Sequence, residues 1–198
     1  TKKSGPLAKT IVTEDDLLHM KEANDVFAIG YFEDVNSESA KLFLSAASEL
    51  DHLNFAISSS DSVKNALSVE KNTIVVVKTF DDVRNEMVVQ DFHTAKAVSK
   101  FIGTHASKLV QVFSDETSDS IFKSPIQKHV LFFTDVDKDH HEQVNKAFQD
   151  AALAYRGETL MINVPKSEGR VLEYFGIEKN ELPKSILADM GNPGTMKK

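Results

Sequence analysis

The chain has 198 residues, of which 41% are hydrophobic and 27% are charged, and its formal net charge at pH 7 is −7. These proportions are ordinary for a folded globular protein of one or two domains and argue against intrinsic disorder. An acidic chain is a poor candidate for nucleic-acid binding, and a chain without cysteine has no disulfide, thiolate chemistry or cysteine-ligated metal.

Strand-like and helix-like runs alternate through the first half of the chain. Thr13 can cap the first helix, whose first turn is acidic, and Asn36 or Ser37 can cap the second. The run from 26 to 34 is almost continuously apolar, which predicts a strand buried on both faces. The pattern predicts strands over 8–13, 26–34, 53–60, 73–80 and 84–90, and helices over 14–23, 37–50, 60–67 and 93–106.

The second half begins the same alternation again. Gly157 and Gly176 follow helix-like runs and can end them in a left-handed conformation. The pattern predicts strands over 109–114, 128–136, 158–165 and 184–190, and helices over 115–124, 140–157 and 167–176. The last strand and the closing helix of the first half have no counterpart here, so we expect the second domain to be truncated.

Two short sequences recur and indicate an internal repeat. "VEKN" ends at Asn72 and "IEKN" at Asn180, which lie 108 residues apart, while "FEDV" begins at Phe32 and "FTDV" at Phe133, 101 residues apart. Similar separations are typical of two copies of one domain. We therefore predict an α/β protein with a linker over 1–7, a first domain over 8–106 and a second over 107–198.

The longer segments resemble the protein disulfide isomerase family. "VFAIGYFEDVNSESAKLFLSAASELDHLNFAISSS" resembles its b domain, while "SIFKSPIQKHVLFFTDV" and "RVLEYFGIEKNELPKSILADM" resemble its b′ domain. The resemblance implies two tandem thioredoxin-like domains, each with a mixed sheet flanked by helices. It also implies that Pro183, before the last strand, follows a cis peptide bond, and that residues 1–7 lead from a preceding domain.

The resemblance implies a chain without catalytic residues. The places where catalytic members carry Cys-x-x-Cys read "FEDVNSES" and "FTDVDKDHHE" here, and the first copy has Asn72 and Thr73 in place of the proline. No cofactor or metal is expected. The expected partners are unfolded polypeptides and flanking catalytic thioredoxin domains of a longer isomerase, with no nucleic acid and no membrane. The expected compartment is the endoplasmic reticulum lumen, although this chain carries no signal or retention sequence.

In this family the b′ domain binds unfolded chains in a hydrophobic groove between its first and third helices. Packing in the domain core is the alternative interpretation for each matching residue. The positions that match this groove are Leu109, Phe113, Phe122, Ile126, Leu172 and Phe175.

Two other function classes remain open. A calcium-buffering protein of thioredoxin-like domains, similar to calsequestrin, would fit an acidic chain, although lysine and arginine are interspersed among its acids. The aspartates at 135, 137 and 139 have EF-hand spacing, but His140 and Lys146 occupy positions that need glycine and glutamate, so an acidic helix start is expected. An enzyme acting without thiols would need a convergent polar constellation, which the sequence does not show.

Overall fold

The computed structural model describes residues 5–88, 90, 93–122, 124, 126–136 and 141–191. The chain forms two compact units, Thr1–Lys108 and Leu109–Lys198. Both are α/β, as predicted, and each contains one mixed sheet. Three residues of the metal-like loop, Asp137, Asp139 and His140, lie outside the described residues.

The first unit follows the predicted order of elements. Its five-stranded sheet has the order β1-β3-β2-β4-β5, in which β1, β3 and β2 run parallel while β4 and β5 are antiparallel. The elements are β1 (Lys9–Thr10), α1 (Glu14–Ala23), β2 (Val26–Tyr31), α2 (Glu38–Glu49), β3 (Asn54–Ser58), α3 (Asp61–Leu67), β4 (Thr73–Lys78), β5 (Arg84–Val88) and α4 (Ala95–Ala106).

A capping box fixes the start of α1. The Thr13 hydroxyl accepts the backbone N–H of Asp16 at 3.1 Å, and the Asp16 carboxylate accepts the N–H groups of Val12 and Thr13, each at 3.0 Å. These hydrogen bonds lower the pKa of Asp16 to about 2, with the Val12 bond the largest cause. The predicted strand over 8–13 therefore ends at Thr10, because the N–H groups of Val12 and Thr13 bond to the Asp16 carboxylate and not to a neighbouring strand.

Apolar clusters cover both faces of the first sheet. Fourteen buried residues form the cluster under α2 and α4, and eleven form the cluster under α1 and α3. Strand β2 contributes to both, which confirms a strand buried on two faces. A Cβ atom at Gly30 would overlap the ring of Phe32 and crowd that of Phe43, so a larger residue at this position in β2 requires these rings to shift.

One lysine among the described residues of the first unit is buried. The Lys78 side chain is 0% exposed, and its ammonium contacts the Asp82 carboxylate at 2.8 Å. The same ammonium donates to the backbone carbonyl of His105 at 2.6 Å, near the end of α4. The buried charge thus connects the β4–β5 turn to the closing helix of this unit.

The second unit has a four-stranded sheet. Its order is β6-β8-β7-β9, with β9 antiparallel to β7 and the other pairs parallel. The elements are β6 (Val110–Val112), α5 (Asp115–Phe122), β7 (Lys128–Thr134), α6 (His141–Ala154), β8 (Leu160–Pro165), α7 (Gly169–Phe175), a 3-10 helix (Lys179–Glu181) and β9 (Lys184–Asp189).

Local signals at the ends of the later helices agree in part with the prediction. Gly176 ends α7 in the left-handed conformation, with φ of 62°, as predicted. Gly157 also has a positive φ, of 80°, but α6 ends earlier, at Ala154, and turns fill the interval. The peptide bond between Leu182 and Pro183 is cis.

The two faces of the second sheet are packed unequally among the described residues. Ten buried residues form the cluster under α5 and α7, but only four form the cluster under α6. In the first unit, α2 and α4 together cover a cluster of fourteen. Among the described residues, the two clusters of the second unit thus contain fourteen buried residues, against twenty-five in the two clusters of the first.

Candidate functional site

Helices α5 and α7 cover the same face of the second sheet. Ile121 of α5 and Leu172 of α7 both belong to its ten-residue cluster, together with Leu131 and Phe133 of β7. Phe113 and Phe175 are half-buried and pack against that cluster. The structure thus brings Phe113, Phe122, Leu172 and Phe175 to one side of the unit, which we call the α5–α7 face.

Phe122 is the most exposed of the predicted residues. It ends α5 with 62% of its surface exposed, while the preceding Ile121 is buried in the core. Its ring meets that of Phe113 edge to face, with the centroids 6.4 Å apart. Phe113 is anchored in turn, because its backbone N–H donates to the carbonyl of Asn163 at 2.8 Å. The exposed ring of Phe122 therefore lies beside the half-buried ring of Phe113, whose backbone is hydrogen-bonded to the sheet.

Helix α7 presents a second aromatic pair. Phe175 meets Phe133 of the core at 5.6 Å and Tyr174 at 5.0 Å, both edge to face. Tyr174 is 74% exposed, whereas Leu172 is only 3% exposed and packs as a core residue. Tyr174 is not among the residues predicted for this face, although the sequence shows an aromatic residue directly before Phe175.

Leu109 lies apart from the other predicted residues. It packs against the four-residue cluster under α6, which includes Phe132 and Phe148. Phe132 and Phe133 are consecutive on β7, so their side chains point to opposite faces of the sheet. Leu109 therefore belongs to the face opposite α5 and α7, since it packs against the cluster of Phe132 and not against that of Phe133.

Ile126 is half-buried in the connection between α5 and β7. Its N–H donates to the Ser124 hydroxyl at 3.2 Å, and its carbonyl lies 2.9 Å from Nε2 of His129. His129 is buried at the start of β7, and burial lowers its pKa, partly opposed by the Ile126 carbonyl. A neutral histidine ring thus holds the backbone of this connection.

This histidine predicts a pH dependence of stability in the second unit. The unfolded chain takes up a proton near the ordinary pKa of 6.5, whereas the folded unit resists it until lower pH. We therefore expect the free energy of unfolding to fall as the pH drops below about 6.5, and to stop falling below the pKa of the folded state. Urea unfolding between pH 7.5 and 5, followed by NMR signals of the second unit, measures this.

The substitution His129→Gln should flatten that pH profile, since the amide can still donate to the Ile126 carbonyl but does not titrate. The matched control is His52→Gln, an exposed histidine in the first unit. A profile equally steep in His129→Gln and in the unmodified chain would contradict the prediction.

The described residues contain no group of three or more His, Cys, Asp or Glu side chains that could hold a metal ion. Among the same residues, no helix has the length and apolar character needed to cross a membrane. Among the described residues, the predicted positions on the α5–α7 face offer apolar and aromatic contact.

The family model described as a thioredoxin-like domain matches residues 32–197. Protein disulfide-isomerase of Drosophila melanogaster is 31% identical over 186 residues, covering 92% of this chain and 37% of that protein. Protein disulfide-isomerase of Gallus gallus is 32% identical over 185 residues, covering 92% and 36%. The chain thus spans little more than a third of the length of these curated relatives.

Two solved structures are similar to the chain in fold. The crystal structure of the bb fragment of ERp72 has a TM-score of 0.62 at 17% identity, covering 97% of this chain and 88% of that one. The zinc-bound form of human ERp44 has a TM-score of 0.65 at 14% identity, covering 97% and 55%. At these identities the likeness concerns the fold alone.

Proposed function

The chain belongs to the thioredoxin-like domain family, and on that premise we propose that it is the redox-inactive, polypeptide-binding part of a protein disulfide isomerase. It holds unfolded or partly folded clients on the α5–α7 face and spaces the catalytic thioredoxin domains of the longer protein. It performs no catalysis itself, and it works in the endoplasmic reticulum lumen. Similarity to protein disulfide-isomerases over 92% of the chain supports this assignment.

The proposed redox inactivity rests on the lack of cysteine. Thiol–disulfide exchange requires an attacking thiolate, and the chain has no cysteine. In the second unit, Asp135 directly follows β7 and forms an ion pair with Lys166, beyond β8, at 2.7 Å. A salt bridge therefore occupies the end of the strand at which the catalytic relatives would carry their cysteines.

The observation that carries the proposal is the exposed ring of Phe122. Burying apolar surface against a partner is favourable by roughly 25 cal/mol per Å², and such contacts tolerate many client sequences because they are not directional. Phe113 lies beside this ring, edge to face, and adds aromatic surface to the same contact. An open aromatic surface of this kind suits weak and rapidly reversible capture of chains that expose apolar segments.

The substitution Phe122→Ala tests the proposal. We expect it to weaken binding of an unfolded, cysteine-free client peptide by roughly five- to thirtyfold, since truncating an aromatic anchor costs about 1–2 kcal/mol. The stability of the second unit should change by less than about 0.5 kcal/mol, because the side chain is mostly in water. Peptide titration and urea unfolding on the same samples give both values.

The matched control is Tyr155→Ala, which removes an aromatic side chain that is 56% exposed and follows α6. This variant should bind the peptide normally. Unchanged affinity in Phe122→Ala, with the second unit still folded, would remove Phe122 from the binding surface. Melting of the second unit in Phe122→Ala would instead identify this ring as part of the core.

A further inference from the structure

Helix α7 has a second flank, separate from the one that carries Phe175. Gly169, Leu172, Glu173 and Gly176 recur at helical spacing and line one side of an open depression of about 410 Å³. Its apolar floor consists of Leu172 and Ile177, which are both buried. At Gly169 and Gly176 a Cβ atom would meet nothing within 4 Å, so the absence of these side chains keeps the depression open.

The rim of this depression is charged. Glu173 and Glu178 contribute two carboxylates, against the single ammonium of Lys179. The Glu178 carboxylate also accepts a hydrogen bond from the backbone N–H of Glu181. This bond fixes the position of the Glu178 carboxylate without neutralising its charge. The nearby Glu181 and Lys184 neutralise each other in an ion pair of 2.7 Å. The depression thus combines an apolar floor with a net negative rim.

We propose that this depression binds a lysine or arginine side chain of the client polypeptide. The methylene stem of such a side chain can lie on Leu172 and Ile177 while its cationic head reaches the carboxylates of Glu173 and Glu178. A side chain with both an apolar stem and a positive charge matches the floor and the rim. An acidic or a purely apolar side chain matches at most one of them. This inference rests on the proposed function, because the client must already be held at the α5–α7 face.

The position of the two sites suggests a client sequence. The depression and the α5–α7 face meet on α7, because Leu172 lines the depression and also belongs to the cluster against which Phe175 packs. An extended chain advances about 3.3 Å per residue and a helix with its side chains is about 10 Å across, so a basic residue about three positions from an apolar anchor at Phe175 can reach the depression. The preferred segment is therefore an aromatic or aliphatic anchor followed or preceded at that distance by lysine or arginine.

Two peptides test this inference on the whole chain. Both carry the same aromatic anchor, and at the third position from it one has lysine and the other has norleucine, which keeps the stem and lacks the charge. We expect the lysine peptide to bind about two- to fivefold more tightly at low salt, as expected for a partly exposed ion pair. That preference should shrink in high salt because of screening.

The substitution Glu173→Gln should reduce the ratio of the two affinities, lysine peptide over norleucine peptide, towards one. The substitution Gly169→Leu should reduce binding of the lysine peptide by filling the depression. Leucine favours helix more than glycine does, so the second variant should remain folded. The matched control is Glu158→Gln, an exposed carboxylate outside the depression, which should keep the full preference.

The outcomes separate this inference from the function on which it rests. Equal binding of the two peptides overturns the basic-residue site and leaves the proposed function standing. Equal losses of preference in Glu173→Gln and Glu158→Gln also overturn it, since general charge attraction would then explain the result. If neither peptide binds, both the site and the proposed function are overturned.

Discussion

Replacing Phe133 with alanine is expected to lower the free energy of unfolding of the second unit by about 3–5 kcal/mol. Phe133 is fully buried in β7 and contacts the ring of Phe175 at 5.6 Å, so its removal leaves a cavity in the ten-residue cluster. Domains are stable by only about 5–15 kcal/mol, and this unit has the smaller core. The substitution should therefore bring the second unit close to unfolding.

Hydrogen exchange resolved by residue measures this effect in each unit separately. The second unit should lose protection while the first keeps it, and peptide binding should disappear with the folded α5–α7 face. Two controls use the same chemical change: Phe122→Ala on the surface should barely alter exchange, and Phe43→Ala should affect the first unit only. A loss below about 1 kcal/mol in Phe133→Ala would contradict the packing described for this cluster.

The second large effect is expected from Asp82→Asn in the first unit. This change removes the carboxylate charge that balances the fully buried ammonium of Lys78, and losing one partner of a buried ion pair costs about 3 kcal/mol or more. Lys78→Met removes the ammonium instead and keeps an apolar stem. It should cost less, because Asp82 is 28% exposed and can be hydrated.

A double-mutant cycle checks this order of effects. The variant with both substitutions should resemble Lys78→Met, since Asp82→Asn is harmful only while the buried charge remains. Urea unfolding of the four proteins gives the coupling free energy. If Asp82→Asn proved as mild as Lys78→Met, the buried ammonium would not depend on that carboxylate.

The sequence was sufficient for the order of elements because the signals for them are local. Helix α1 was predicted over 14–23 and runs over Glu14–Ala23, since Thr13 and Asp16 form the cap within a few residues of chain. Strand ends were predicted less well. The run over 26–34 ends as a strand at Tyr31, and the backbone N–H of Glu33 donates instead to the side chain of Asn72, a partner that sequence alone does not reveal.

Which apolar residues of a helix enter the core most deeply could be predicted only in part. The apolar spacing of α4 predicts Ala97, Val98 and Phe101 as inward-facing, and all three contact the cluster under α2 and α4, but Ile102 and Ala106 are buried there as well. In α7, the sequence likewise did not indicate that Tyr174 would be exposed while Phe175 packs against the core. Tertiary packing decides which of several adjacent apolar residues enters the core, because a helix offers more than one apolar stripe to the sheet.

Because the two units differ in the size of their cores, we expect them to open at different free energies. Openings with the lowest free energy occur where the fewest apolar contacts must be broken, and among the described residues that is the second unit. We expect larger thermal fluctuations in the second unit than in the first, which should remain rigid. Under the proposed function, the first unit would then serve as the stiff spacer and the second unit would adapt its surface to irregular clients.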